Sequence, residues 1–227
     1  MANQTITFRK IKLNDQQFNK LCNYINEMPF SEDNKEGFII EDWDKANITA
    51  CYILDLPTFE ERYDPTQNLI VREQTFRITF VPFTIDNEVG VIEIYGAKRN
   101  INRLVQVIGK ALNFEVAVEE YEFSPRKILK QLRINGIEYE ITRIHVHDFP
   151  VYADILGDCN LKVAGLAGID DIINKYSDKI TQIKLGVIYE DNVIPLLINS
   201  LGTMRLYIRD SMPEAFINHV KRVVLGE

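Results

Sequence analysis

The sequence predicts a mixed α+β protein made of two similar halves, mostly antiparallel sheet with helices packed on one face. Three observations carry that expectation. Period-two apolar runs recur along the whole chain, amphipathic segments carry recognisable helix starts and stops, and the order of elements repeats at a spacing near half the chain length.

Residues 4–12 alternate apolar and polar side chains and read as a strand. A helix follows, opened by Asn14 with Gln17 three places on, a capping-box pattern, and Phe18, Leu21, Cys22 and Ile25 share one of its faces. Strands are expected near 37–43, 47–56, 67–82 and 89–95. Phe76, Ile78 and Phe80 alternate with polar or small neighbours, and Asp86-Asn87 marks the turn before the last strand. The helix over 99–112 has the clearest pattern. Ile101, Leu104, Val105, Ile108 and Leu112 form its apolar stripe, with Arg99, Arg103, Gln106 and Lys110 roughly opposite.

The second half begins with a strand near 115–123. A helix over 125–134 then opens with Ser124 as N-cap and Pro125 at its first position, and closes at Asn135-Gly136. Period two returns over 137–149, and strands are expected near 159–165, 180–190, 193–199 and 203–209, with a short helix opening at Asp170. Gly165 and Gly168 serve the turn into that helix, since neither nucleotide-binding glycine spacing nor a P-loop ending is present. The chain finishes in a helix opened by the capping-box pattern Ser211 to Glu214, which buries Phe216, Ile217, Val220, Val223 and Val224.

The opening helices begin at Asn14 and Ser124, an offset of 110; Ile94-Tyr95 aligns with Leu206-Tyr207 at 112, and Leu112 with Leu225 at 113. These offsets predict duplication of one α+β unit, with halves at residues 1–112 and 113–227.

Composition narrows the class. With 227 residues, 46% hydrophobic and 26% charged, the chain buries an ordinary core and is not generally disordered. It has no apolar run of membrane-spanning length and no signal-peptide pattern at the N-terminus, so no membrane partner is expected. Cys22, Cys51 and Cys159 fit neither a disulfide framework nor a zinc ribbon, and a cytoplasmic location is the expectation. The net charge of −7 is concentrated over residues 27–64, where 11 acids face three bases. That segment repels phosphate.

Two groups of residues bear on function. Lys98, Arg99, Arg103 and Lys110 on one helix, and Arg126, Lys127, Lys130 and Arg133 on the next, make two basic faces suited to an acidic protein patch or a nucleic-acid backbone. No aromatics interleave with them, so stacking on single strands is not indicated. His145 and His147, two apart on a strand, project to the same side, and Asp148 follows them. Such a pair is half of a site for a divalent transition metal. The sequence carries no serine-nucleophile elbow and no Glu-x-Lys nuclease strand.

The functional expectation is a non-enzymatic binding or adaptor subunit that docks with protein partners in a complex, with nucleic-acid contact through the basic helices and no cofactor. The alternative is a metal-dependent hydrolase or nuclease centred on His145 and His147.

Overall fold

The computed structural model describes all residues except 1, 32, 153, 164–167, 191, 209–212 and 227. The chain divides into two compact units, Arg9–Glu119 and the combination of Met1–Phe8 with Glu120–Glu227. It is a mixed α+β protein, and every strand pairing described below is antiparallel.

In the unit Arg9–Glu119, α1 (Asp15–Glu27) precedes four strands, β2 (Glu36–Trp43), β3 (Asn47–Asp64), β4 (Leu69–Asp86) and β5 (Val91–Tyr95), and α2 (Lys98–Ala111) closes the series. The strands form a meander in chain order. The Asn14 side chain accepts from the Gln17 N–H while the Gln17 side chain accepts from the Asn14 N–H, so the capping box forms as the sequence predicts. Register then selects the buried face. Ile40, Ala50, Phe83 and Ile94 lie in one cross-strand row, and Phe38, Tyr52 and Val81 in the next. These side chains share one core with Phe18, Leu21, Cys22 and Ile25 of α1 and Ile101, Leu104, Val107 and Ile108 of α2. Both helices thus cover the same face of this sheet.

In the other unit, β1 (Ala2–Lys10) contributes residues 2–7 to pairing with β11 (Thr203–Ile208). The strand order continues through β10 (Asn192–Asn199), β9 (Ile180–Tyr189), β7 (Tyr139–Tyr152) and β8 (Ile155–Lys162). The row Ile6, Met204, Ile198, Ile183 and Ile144 crosses five strands in register, and each of these side chains is at most 2% exposed. Helices α3 (Pro125–Ile134), α4 (Ile169–Lys175) and α5 (Glu214–Leu225) bury Ile128, Leu129, Leu132, Ile169, Ile173, Val220, Val223 and Val224.

Several local expectations shift. The strand expected over 115–123 shrinks to β6 (Glu119–Glu120). Asn113 and Phe114 both take left-handed backbone angles and turn the chain just before it, so the alternation of Val116 and Val118 serves packing against the core rather than a ladder. Ser124 and Pro125 open α3 as predicted, though the Ser124 side chain makes no capping hydrogen bond. Helix α5 opens at Glu214 behind Pro213, and Ser211 lies outside the described residues, as does Gly165. Gly168 takes φ +83 where the chain enters α4, a conformation that glycine reaches without strain.

The largest difference is the β3–β4 hairpin. The sequence reading ends one strand at 56 and starts the next at 67, because Pro57 and the acids Glu60, Glu61 and Asp64 are poor strand formers. In the structure both strands run 18 residues with unbroken register from Asn47↔Asp86 to Asp64↔Leu69. Asp64 closes the turn by accepting from the Thr66 N–H and hydroxyl, and Tyr63 donates to Asn68 at 2.7 Å.

Candidate functional site

The hairpin outruns its neighbours. Strand β2 pairs with β3 as far as Leu54, and β5 pairs with β4 from Phe83 onward. From Asp55 to Asp64 and from Leu69 to Ile78 the two strands form ladder pairs only with each other among the described residues, with one further backbone bond at the base from the Asp55 N–H to the Lys35 carbonyl. Isolated two-stranded ribbons are marginal in water, so this one stands on its cross-strand contacts. Thr58 and Thr75 hydroxyls lie 2.7 Å apart on one face. On the other face the Arg72 guanidinium sits 4.5 Å from the Phe59 ring centre, and Lys35 sits 4.2 Å from that of Phe76.

The ribbon's two faces differ in kind. Leu56, Thr58, Glu60 and Arg62, with their partners Arg77, Thr75, Glu73 and Val71, continue the helix-covered face of the sheet. The opposite face carries Phe59, Tyr63, Ile70, Phe76, Ile78 and Phe80, each at least 51% exposed. An uncovered run of large apolar side chains on one side of a projecting ribbon is the pattern of an interaction surface. The alternation of Phe76, Ile78 and Phe80 locates the strand correctly, yet these residues face out, and the core takes Val81, Phe83 and Ile85 instead. The sequence signal lies in that change of phase: two alternations of opposite parity follow one another, and one strand buries only one of them. A smaller apolar tip occurs in the other unit, where β7 and β8 meet and Val151, Tyr152, Ile155 and Leu156 are exposed.

The predicted basic residues sit on two helices. On α2, Lys98, Arg99, Arg103 and Lys110 are all exposed, and the apolar stripe of the same helix is buried. Arg103 is not a free cation. Its Nε and Nη2 donate to Glu36 Oε2 at 3.1 and 2.7 Å, and the same oxygen accepts from the Tyr52 hydroxyl at 2.8 Å. Burial alone would push the Glu36 carboxyl up, but the hydrogen bonds from Tyr52 and Arg103 and the nearby positive charge outweigh it and hold the group below its usual range. On α3, Arg126, Lys127, Lys130 and Arg133 are exposed. Arg133 donates to the Tyr139 hydroxyl at 2.8 Å and pairs with Asp170 at 3.3 Å, which leaves Arg126, Lys127 and Lys130 as that helix's unengaged bases among the described residues.

Part of the acidic run is structural. Glu36 holds Arg103 and Tyr52, Asp44 accepts from the Ala46 and Asn47 N–H groups at the β2–β3 turn, and Asp64 closes the β3–β4 turn. Hydrogen bonds from the turn backbone lower the pKa of Asp44, and the Thr66 hydroxyl and backbone lower that of Asp64.

His145 and His147 lie on β7, and each ring is engaged by a different neighbouring strand. His145 Nδ1 is 2.7 Å from the Thr181 hydroxyl on β9, and His147 Nδ1 is 2.5 Å from Asp158 on β8. Asp148 takes a left-handed φ of 50° at an irregularity in the strand and stands 3.4 Å from His147 Nε2. No group of three or more histidine, cysteine or acidic side chains is placed to hold a metal ion among the described residues. The two histidines read from this geometry as cross-strand hydrogen-bonding partners. Burial raises the Cys22 thiol to about 11 and raises Cys51 as well, so both stay protonated within the core.

No protein-family model matches the chain, and no curated protein matches its sequence. Among the described residues no helix is long and apolar enough to cross a membrane.

Proposed function

We propose that the protein is a non-enzymatic binding subunit that docks into a larger intracellular protein assembly. The observation that carries this reading is the β3–β4 ribbon, whose outer face exposes Phe59, Tyr63, Ile70, Phe76 and Ile78 where no third strand flanks it among the described residues, with Phe80 continuing the row at its base. A projecting ribbon of this kind is expensive to leave in water and gains free energy when a partner covers it. The exposed bases of α2 and α3 supply a second, electrostatic contact for an anionic component of the same assembly, nucleic acid included.

The internal duplication belongs to the same proposal. What supports it is the shared order of elements: helix, meander, helix. Strands β2-β3-β4-β5 follow α1 and precede α2, and β7-β9-β10-β11 follow α3 and precede α5 once the β8–α4 excursion is set aside. Sequence profiles built for each half should align Asn14 with Ser124 and Ile94 with Leu206; profiles that align in any other frame refute common descent.

The test of the docking reading is affinity purification of the native protein against a variant carrying Phe59→Ser, Phe76→Ser and Ile78→Ser. None of the three substituted side chains is buried, but Phe59 and Phe76 carry ring–cation contacts of the ribbon, so amide exchange must first show the hairpin still formed; the variant should then keep its melting temperature and lose the stoichiometric partners. Retention of every partner by the folded variant overturns the reading.

A further inference from the structure

The ribbon has two edges, and the sequence treats them differently. The Asp55 N–H points away from β4, since it donates to the Lys35 carbonyl at 2.8 Å. Pro57, two residues on, has no N–H and blunts that same edge. Backbone groups alternate in direction along a strand, so the residues opposite this set on β4, Ile78, Phe76, Gln74, Arg72 and Ile70, direct their N–H and C=O groups outward from the other edge. Phe80 continues the row. From Ile70 to Phe80 that edge has no proline, no register shift and no flanking strand among the described residues. Proteins blunt exposed edges with proline, bulges or charged side chains; this stretch has neither proline nor bulge, and its charges are Arg72, Glu73 and Arg77.

We infer that the β4 edge over Ile70–Phe80 pairs with the same edge of a second copy of this chain, antiparallel and centred on Thr75. The choice of surface rests on the docking reading above; the choice of partner rests on the sequence of the edge itself. In a two-fold pairing about Thr75, Ile70 meets Phe80, Arg72 meets Ile78 and Gln74 meets Phe76, so outward-pointing backbone groups always meet outward-pointing ones. On the opposite face the same register sets Glu73 of one copy against Arg77 of the other, twice. Both residues are exposed, and neither forms an ion pair among the described residues. Within its own hairpin Glu73 stands opposite Glu60, a like-charge pair that an incoming arginine offsets. Registers centred one residue to either side on β4 place Glu73 opposite threonine and lose the charge match. The product is a four-stranded ribbon with the exposed Phe, Ile and Tyr side chains of both copies on one continuous face.

The experiment is sedimentation equilibrium on purified full-length protein and three variants. Gln74→Pro removes an outward N–H that the hairpin does not use, as Pro57 already does on the other edge, so it should fold and self-associate about a hundredfold more weakly or worse. Glu73→Arg and Arg77→Glu should each weaken the homodimer, and mixing the two should restore a heterodimer, because both contacts then join opposite charges. Wild-type protein that stays monomeric at every concentration overturns the inference, as does a dimer indifferent to Gln74→Pro and to both charge reversals. A monomeric wild type whose serine variant still loses its partners separates the outcomes: edge pairing fails and the docking reading stands.

Discussion

Glu36 is the residue at which a surface charge and the core meet. Its Oε2 accepts from the hydroxyl of Tyr52, a residue with 0% exposure, and from the Arg103 guanidinium. Glu36→Ala strands the buried hydroxyl without an acceptor, a loss of about 1–3 kcal/mol. It also frees Arg103, but that side chain is 45% exposed, so the ion pair contributes no more than about 1 kcal/mol after solvent screening. The expected total is about 1–4 kcal/mol by urea denaturation. Glu36→Gln keeps a neutral acceptor for Tyr52 and should cost about 0.5–1 kcal/mol. Because Tyr52→Phe removes the donor, the Glu36→Ala and Tyr52→Phe pair should cost less than the two changes added, with a coupling of about 1 kcal/mol. The sign of the pH dependence follows from the lowered carboxyl pKa. The contribution of Glu36 is fully present above its unfolded value of about 4.3 and is lost as pH falls through the lower folded value, so Glu36→Gln should flatten the acid limb of the stability profile. If Glu36→Ala costs no more than Glu36→Gln, or the double-mutant cycle is additive, the buried hydroxyl does not depend on this carboxylate and the reasoning fails.

Three further outcomes are expected. Gly202 takes φ +70, and a Cβ there would overlap the Tyr121 carbonyl oxygen and come within 3.0 Å of that of Phe8, so Gly202→Ala should lose about 2–4 kcal/mol, read as a large drop in melting temperature. Asn14→Ala removes one side of the α1 capping box and should cost about 1 kcal/mol by the same denaturation measurement. Reversing Lys98, Arg99, Lys127 and Lys130 to glutamate should change stability by no more than about 0.5 kcal/mol per site. The same reversals should weaken capture of an anionic partner most at low salt, whereas Arg103→Glu should destabilise the fold itself by setting a carboxylate against Glu36.

The sequence by itself determined the elements whose signals are local. The capping box at Asn14, the Ser124-Pro125 start, the Asn135-Gly136 stop and the apolar stripes of α2 and α3 depend on residues three or four apart, so short-range pattern suffices to place them. It also named the basic side chains of α2 and α3, because an amphipathic helix with a buried stripe leaves its opposite face outside. Tertiary structure decided which of those bases are engaged, since Glu36 lies 67 residues from Arg103 and Asp170 lies 37 from Arg133. It likewise decided that the first strand pairs with β11, and that His145 and His147 bond to Thr181 and Asp158 on separate strands. The ribbon is the sharpest case. Alternation shows that Phe76, Ile78 and Phe80 share one side of a strand, but which side meets the core depends on the register against β3, where Tyr52 opposite Val81 and Ala50 opposite Phe83 fix the buried face and leave those three outside. Register is a contact between distant segments, and no local spacing encodes it.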